Sequence, residues 1–102
     1  MFGDMMGKLQ EMKQKMEETK KRLDLKTIEG EAGNNAVKII ATGNRQIKSV
    51  EISAELFSAD KEELEDLLVI AINRALEKAE KVNEAEMAGA AKGIMPNMPG
   101  LF

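Results

Sequence analysis

Residues 25–53 read LKTIEGEAGNNAVKIIATGNRQIKSVEIS, and this stretch decides the fold. From Leu25 to Ala32 the pattern alternates loosely and contains the β-branched pair Thr27 and Ile28, which suits a short strand. Gly33-Asn34-Asn35 is a turn signal, because both residue types accept positive φ. Ala36 to Thr42 is a second strand, with Val37, Ile39 and Ala41 on one face. Gly43-Asn44 marks another turn. Gln46 to Ser53 is the third strand, with Lys48, Val50 and Ile52 on one side. Ile47 falls on the other side, so a bulge or a partly covered second face is expected. Two short turns between consecutive strands favour an antiparallel meander.

Upstream, Phe2, Met5, Leu9, Met12, Met16, Thr19 and Leu23 alternate in steps of three and four, a heptad seam that predicts a helix of about 20 residues. Asp4–Lys8, Glu11–Lys15 and Glu18–Arg22 stand four apart, acid before base, an order that supports a helix. Downstream, Asp60 and Glu63 have capping-box spacing, and Glu62, Glu63 and Glu65 put negative charge where a helix N-terminus favours it. Leu64, Leu67, Leu68, Ala71, Ile72, Ala75, Leu76, Ala79 and Val82 continue at helical spacing. This second helix is expected to end near Met87, after about 28 residues. Gly89, Gly93, Pro96, Pro99 and Gly100 then predict an irregular tail, from about Gly93 to Phe102. The expected fold is a single α+β domain over residues 1–102: helix, three-stranded antiparallel sheet, long helix, tail.

Lengths point to a second copy. A seven-residue strand spans about 23 Å, and helices of about 20 and 28 residues span about 30 and 42 Å. Both apolar stripes overhang the sheet and would stay wet on a single chain, so a dimer with projecting helices is expected. Its interface or core residues are Met5, Leu9, Met12, Met16, Val37, Ile39, Val50, Ile52, Leu68 and Ile72.

Composition narrows the function. The 102 residues include no His, Cys, Trp or Tyr, which removes the imidazole and thiolate on which most catalysis near neutral pH relies. The usual zinc and copper ligands are missing too, so neither a metal site, a cofactor nor a catalytic residue is expected, and the chain reads as a non-enzyme. No disulfide framework, signal peptide or membrane span is legible, so a cytoplasmic location is expected, with no membrane partner and no small-molecule substrate. No glycine-rich phosphate loop is present, and the acidic run from Asp60 to Asp66 lacks the alternation of a calcium loop. Net charge is −3, with residues 1–59 carrying +1 and residues 60–102 carrying −4. Any anion binding therefore comes from a local patch.

The ordered set of strings MFGDMMGKLQEMKQKM, IEGEAGNNAVKI, VEIS, ELEDLLVIAINRALEKAEKVNEAEM and KGIMPNMPGLF resembles the YbaB/EbfC family of small bacterial nucleoid-associated proteins. The resemblance covers essentially the whole chain, although the stretch after Gly93 is slightly longer than in some relatives. It implies a homodimer with long helices projecting like tweezers. It also implies duplex DNA as a partner, bound with little sequence preference, and a role in nucleoid organisation and gene regulation.

The candidate DNA-binding residues are basic positions. With Leu9 as heptad position a, Lys8, Lys15 and Arg22 fall at g, Lys13 and Lys20 at e, and Lys21 at f. The bases flank the apolar seam, whereas the acids lie at b and c. Like charges at both e and g disfavour a simple parallel coiled coil of two first helices. Arg74, Lys78 and Lys81 share one face of the second helix, with Glu77, Glu80 and Glu84 interleaved. Arg45 and Lys48 lie near the second turn. From the residues alone, the same lysines also fit a solvated helical face, and the Met-rich seam also fits a protein-interaction module that grips a partner helix. Only Phe2, Phe57 and Phe102 could stack on bases, which argues against single-strand recognition.

Overall fold

A computed structural model describes residues 2–94. Helix α1 (Phe2–Leu25) leads into strands β1 (Thr27–Ala32), β2 (Val37–Thr42) and β3 (Ile47–Ile52). A short 3-10 segment (Ala54–Ser58), which periodicity does not announce, then leads into α2 (Lys61–Ile94). The strands form an antiparallel meander in the order β1-β2-β3. The first strand starts two residues later than expected, because the helix continues through Leu25. Leu23 is fully buried, and its carbonyl accepts the N–H groups of Lys26 (3.2 Å) and Gly43 (2.9 Å).

The second helix is longer than expected. It has 34 residues and runs through Gly89 and Gly93 to Ile94. A glycine inside a helix is unfavourable by roughly 0.5–1 kcal/mol. Here Ala85, Ala88, Ala90 and Ala91 surround Gly89 with the strongest helix formers. The expectation of an irregular tail fails at Gly93 and Ile94, and its remainder, residues 95–102, lies outside the described residues.

Both turns use left-handed backbone. Gly33, Asn34 and Asn35 adopt φ of 64°, 54° and 69°. At the second turn the left-handed residue is Arg45 (φ 64°), not Gly43 or Asn44. Gly43 serves close approach instead, since a Cβ there would stand 2.7 Å from Leu23 Cδ2. Asn44 ties the hairpin to α1: its Nδ2 donates to the Lys20 carbonyl (2.9 Å) and to the Asp24 carboxylate.

The sheet register shifts between Ile40 and Ala41. Ile39 faces Val50, Ile40 faces Ser49 and Ala41 faces Ile47, so Lys48 is left without a partner in the ladder. This irregularity returns Ile47 to the same face as Val50 and Ile52, contrary to simple alternation. That face meets α2, but only in part. Helix α2 lies over β1 and β2, where Ile28, Ala32, Val37, Ile39 and Ala41 are buried. Its contact stripe is Ala71, Ala75 and Ala79, all fully buried. Gly30 lies directly beneath, and a Cβ there would collide with the Ala75 nitrogen and the Ala71 carbonyl oxygen. Small residues on both sides let the two backbones approach closely.

Strand β3 projects past the helix. Val50 is 46% exposed and Ile47 42%, so Val50 is not part of this chain's core, contrary to one of its two expected roles. Ile52, Leu68 and Ile72 are half-buried against the core cluster.

Candidate nucleic-acid interface

Helix α1 packs antiparallel on the C-terminal part of α2. Lys15, Glu18 and Arg22 of α1 line one cleft with Glu86, Gly89 and Ala90 of α2. Rising residue number in α1 thus runs against rising number in α2, and Asn83 Nδ2 reaches the Gly43 carbonyl (3.0 Å) where the pair joins the sheet. The heptad seam follows this contact. Thr19 and Leu23 are buried, and Met12 and Met16 are half-buried. The buried Thr19 hydroxyl is satisfied by donating to the Lys15 carbonyl at 2.8 Å. Toward the N-terminus the seam is uncovered, and Met5, Met6 and Leu9 are each more than 60% exposed.

The molecule is correspondingly long. Its extents are 68 × 25 × 16 Å and its radius of gyration is 19.1 Å. A compact chain of this length would have a radius of about 13 Å. The helix pair accounts for the difference, because α2 alone spans about 51 Å while a six-residue strand spans about 20 Å.

The basic positions fall into three groups. Lys8, Lys13, Lys15, Lys20 and Lys21 are exposed along α1, and none forms an ion pair among the described residues. The Glu11–Lys15 and Glu18–Arg22 spacings therefore do not close into pairs; the Asp4 side chain lies outside the described residues. Arg22 belongs to a second group, whose members are engaged within the chain. Its Nη2 meets Glu86 Oε2 at 3.2 Å, and Lys26 Nζ meets Glu86 Oε1 at 2.8 Å. Hydrogen bonding from Lys26, then from Arg22, holds the Glu86 carboxyl below the usual carboxylate range. Arg74 Nη1 donates to the Glu31 carbonyl (2.8 Å) and Lys78 Nζ to the Glu29 carbonyl (3.1 Å). Both carbonyls lie on β1, an outer strand of the sheet, so these two cations cap an open edge. Lys81 makes up the third group, sharing a shallow exposed cleft with Glu77, Glu80 and Glu84.

Arg22, Arg74 and Lys78 have the same spacing and charge as the α1 lysines, and only their partners within the chain set them apart. Lys26, which the heptad reading left out, stands beside Arg22 on Glu86. Among the described residues no three His, Cys, Asp or Glu side chains gather as a metal site. No helix there is long and apolar enough to cross a membrane.

A helix–meander–helix chain with a long, charged helix pair defines a class of small α+β proteins built around an extended surface. The chain belongs to the YbaB/EbfC DNA-binding family, whose model matches residues 1–94. It is similar to a nucleoid-associated protein of Flavobacterium johnsoniae, with 47% identity over 95% of this chain and 91% of that one. A nucleoid-associated protein of Hahella chejuensis is 39% identical over 94% of this chain and 91% of its own length. In fold the chain resembles the crystal structure of the uncharacterized Helicobacter pylori protein HP0035, with a TM-score of 0.80 at 21% identity, over 89% of this chain and 96% of that one.

Proposed function

We propose that this protein binds duplex DNA as a homodimer with little sequence preference, acting in the nucleoid in its organisation and in gene regulation. The observation that carries this reading is the row of exposed lysines on α1, Lys8, Lys13, Lys15, Lys20 and Lys21, beside a helix pair that extends well past the sheet. Lysines spaced along a rigid helix suit a polyanion, and contacts to phosphate carry no base information. Family membership and the names of the relatives support the same reading.

The homodimer rests on uncovered apolar surface. Ile47 and Val50 share the inner sheet face with the half-buried Ile52, and α2 leaves the first two exposed. Phe57, Val69 and Ile70 add exposed apolar side chains on the neighbouring elements. The β1 edge is capped by Arg74 and Lys78, so β3 is the edge on which a second copy would pair. Two copies would double the lysine rows and present them on two projecting α1 helices.

Sedimentation equilibrium at micromolar concentration should give about twice the 11.2 kDa chain mass. Fluorescence anisotropy with two duplexes of unrelated sequence should give affinities within about threefold of each other, since phosphate contacts read no sequence. A monomer, or a strong preference for one duplex, contradicts the proposal.

One observation favours a second reading. Met5, Met6 and Leu9 form an exposed apolar end on α1, as a helix gripping a partner protein would. Under that reading, charge reversal at Lys13 and Lys20 leaves DNA affinity unchanged, whereas polar replacements at Met5 and Leu9 abolish partner capture.

A further inference from the structure

Arg22 and Lys26 are cations that one internal carboxylate already holds. Their side chains are 59% and 45% exposed, so an approaching polyanion can reach both. Glu86 is 25% exposed, and its two oxygens are divided between them, Oε1 to Lys26 and Oε2 to Arg22. A phosphate diester also offers two acceptor oxygens, and the planar Arg guanidinium pairs with such groups through two parallel hydrogen bonds. Lys15, one of the free lysines of α1, lines the same cleft. Glu18 lines it too, yet it takes no part in the ion pairs.

We propose that Glu86 is an internal competitor of DNA phosphate: it occupies Arg22 and Lys26 and withholds them from the lysine row until a phosphate displaces it. This inference rests on the DNA-binding reading and adds to it the residue that limits affinity. Glu86 lies on α2, 64 positions from Arg22 in sequence, so bound DNA and the α1–α2 contact draw on the same two cations. DNA binding therefore loosens the helix pair, and a tightly closed helix pair weakens DNA binding.

Glu86→Gln tests the proposal, because glutamine keeps an acceptor oxygen for Lys26 and loses the charge. An exposed ion pair is worth about 1.5- to 5-fold in an equilibrium, and phosphate has to break two of them at Glu86. Loss of that competition therefore predicts an increase between about 2-fold and about 30-fold at a fixed salt concentration, with the slope changed by less than one phosphate contact, about 0.9, because both proteins meet the same phosphates once bound. Glu84→Gln removes the same charge from an exposed position with no ion pair among the described residues, and should change affinity far less. Arg22→Met should then lower affinity more in the Glu86→Gln background than in the parent, where displacing Glu86 offsets part of that contact.

A measurement on the unaltered protein covers the case in which Glu86→Gln disturbs folding. On titration with duplex DNA, the Glu86 carboxyl ¹³C resonance should move toward that of an unpaired carboxylate, and that of Glu84 should not. Equal effects of Glu86→Gln and Glu84→Gln, equal losses from Arg22→Met in both backgrounds, or an unmoved Glu86 resonance at saturation each overturn the proposal. A parent protein that binds no DNA overturns the underlying reading instead.

Discussion

Replacing Gly30 by alanine adds one carbon where α2 crosses the sheet. That carbon would meet the backbone nitrogen of Ala75 and the carbonyl oxygen of Ala71, not a flexible side chain. Neither can turn aside, because Ala71 and Ala75 are fully buried and fix the height of the helix over β1. Overpacking a core typically destabilises by about 1–3 kcal/mol, and a clash with backbone belongs at the upper end of that range. For a chain of this size each kcal/mol shifts Tm by about 4–8 °C, so Gly30→Ala should lower Tm by roughly 12–24 °C. The same substitution at Gly89 should act in the opposite sense. A Cβ there has nothing within 4 Å, and the residue lies inside α2. Gly89→Ala should stabilise by about 0.5–1 kcal/mol, raising Tm by a few degrees. Circular dichroism melts at one fixed protein concentration measure both, because a dimer's Tm depends on concentration. A neutral Gly30→Ala, or a destabilising Gly89→Ala, would refute the packing described for α2.

Other outcomes follow from the ion pairs and the capped edge. Glu86 has a lowered pKa in the folded chain, so its contribution to stability is complete above the usual carboxylate range and is lost as pH falls through the lowered value. Melts of the parent and Glu86→Gln should accordingly converge as pH is lowered from neutrality through and below the usual carboxylate range, and a constant difference would contradict the pairing. Replacing Arg74 and Lys78 together by alanine uncovers the Glu29 and Glu31 carbonyls on β1. Sedimentation velocity should then show species larger than the parent's, while the salt slope for DNA stays unchanged. Asn44→Ala removes two side-chain bonds joining the hairpin to α1. At about 0.5–1.5 kcal/mol for each, denaturant melts should show a loss of roughly 1–3 kcal/mol.

The sheet and both helices are legible in the sequence because each rests on local periodicity and turn chemistry. GNN supplies the left-handed turn, and the odd placement of Ile47 anticipates the register shift. The length of α2 is less legible: Gly89 reads as a breaker, but its alanine-rich neighbours keep the helix intact through Ile94. Heptad arithmetic finds the seam of α1 but not its occupant, which over Met12 to Leu23 is α2 of the same chain. The basic positions are visible as residues and invisible as partners. Whether Arg74 faces solvent or a strand carbonyl depends on β1, 43 positions away, and Lys26 joins Arg22 only because Glu86 folds back between them. Spacing along one helix carries no information about contacts of that range.

If lysines of α1 meet DNA phosphates, duplex affinity must fall with salt in proportion to the phosphates neutralised. A dimer neutralising on the order of 4–6 phosphates should give a log–log slope near −4 to −5. Lys13→Glu with Lys20→Glu should make that slope shallower and weaken unrelated duplexes about equally, with the dimer intact. No binding by the parent at about 50 mM salt, or a double variant that binds as tightly as the parent with the same slope, would contradict the account.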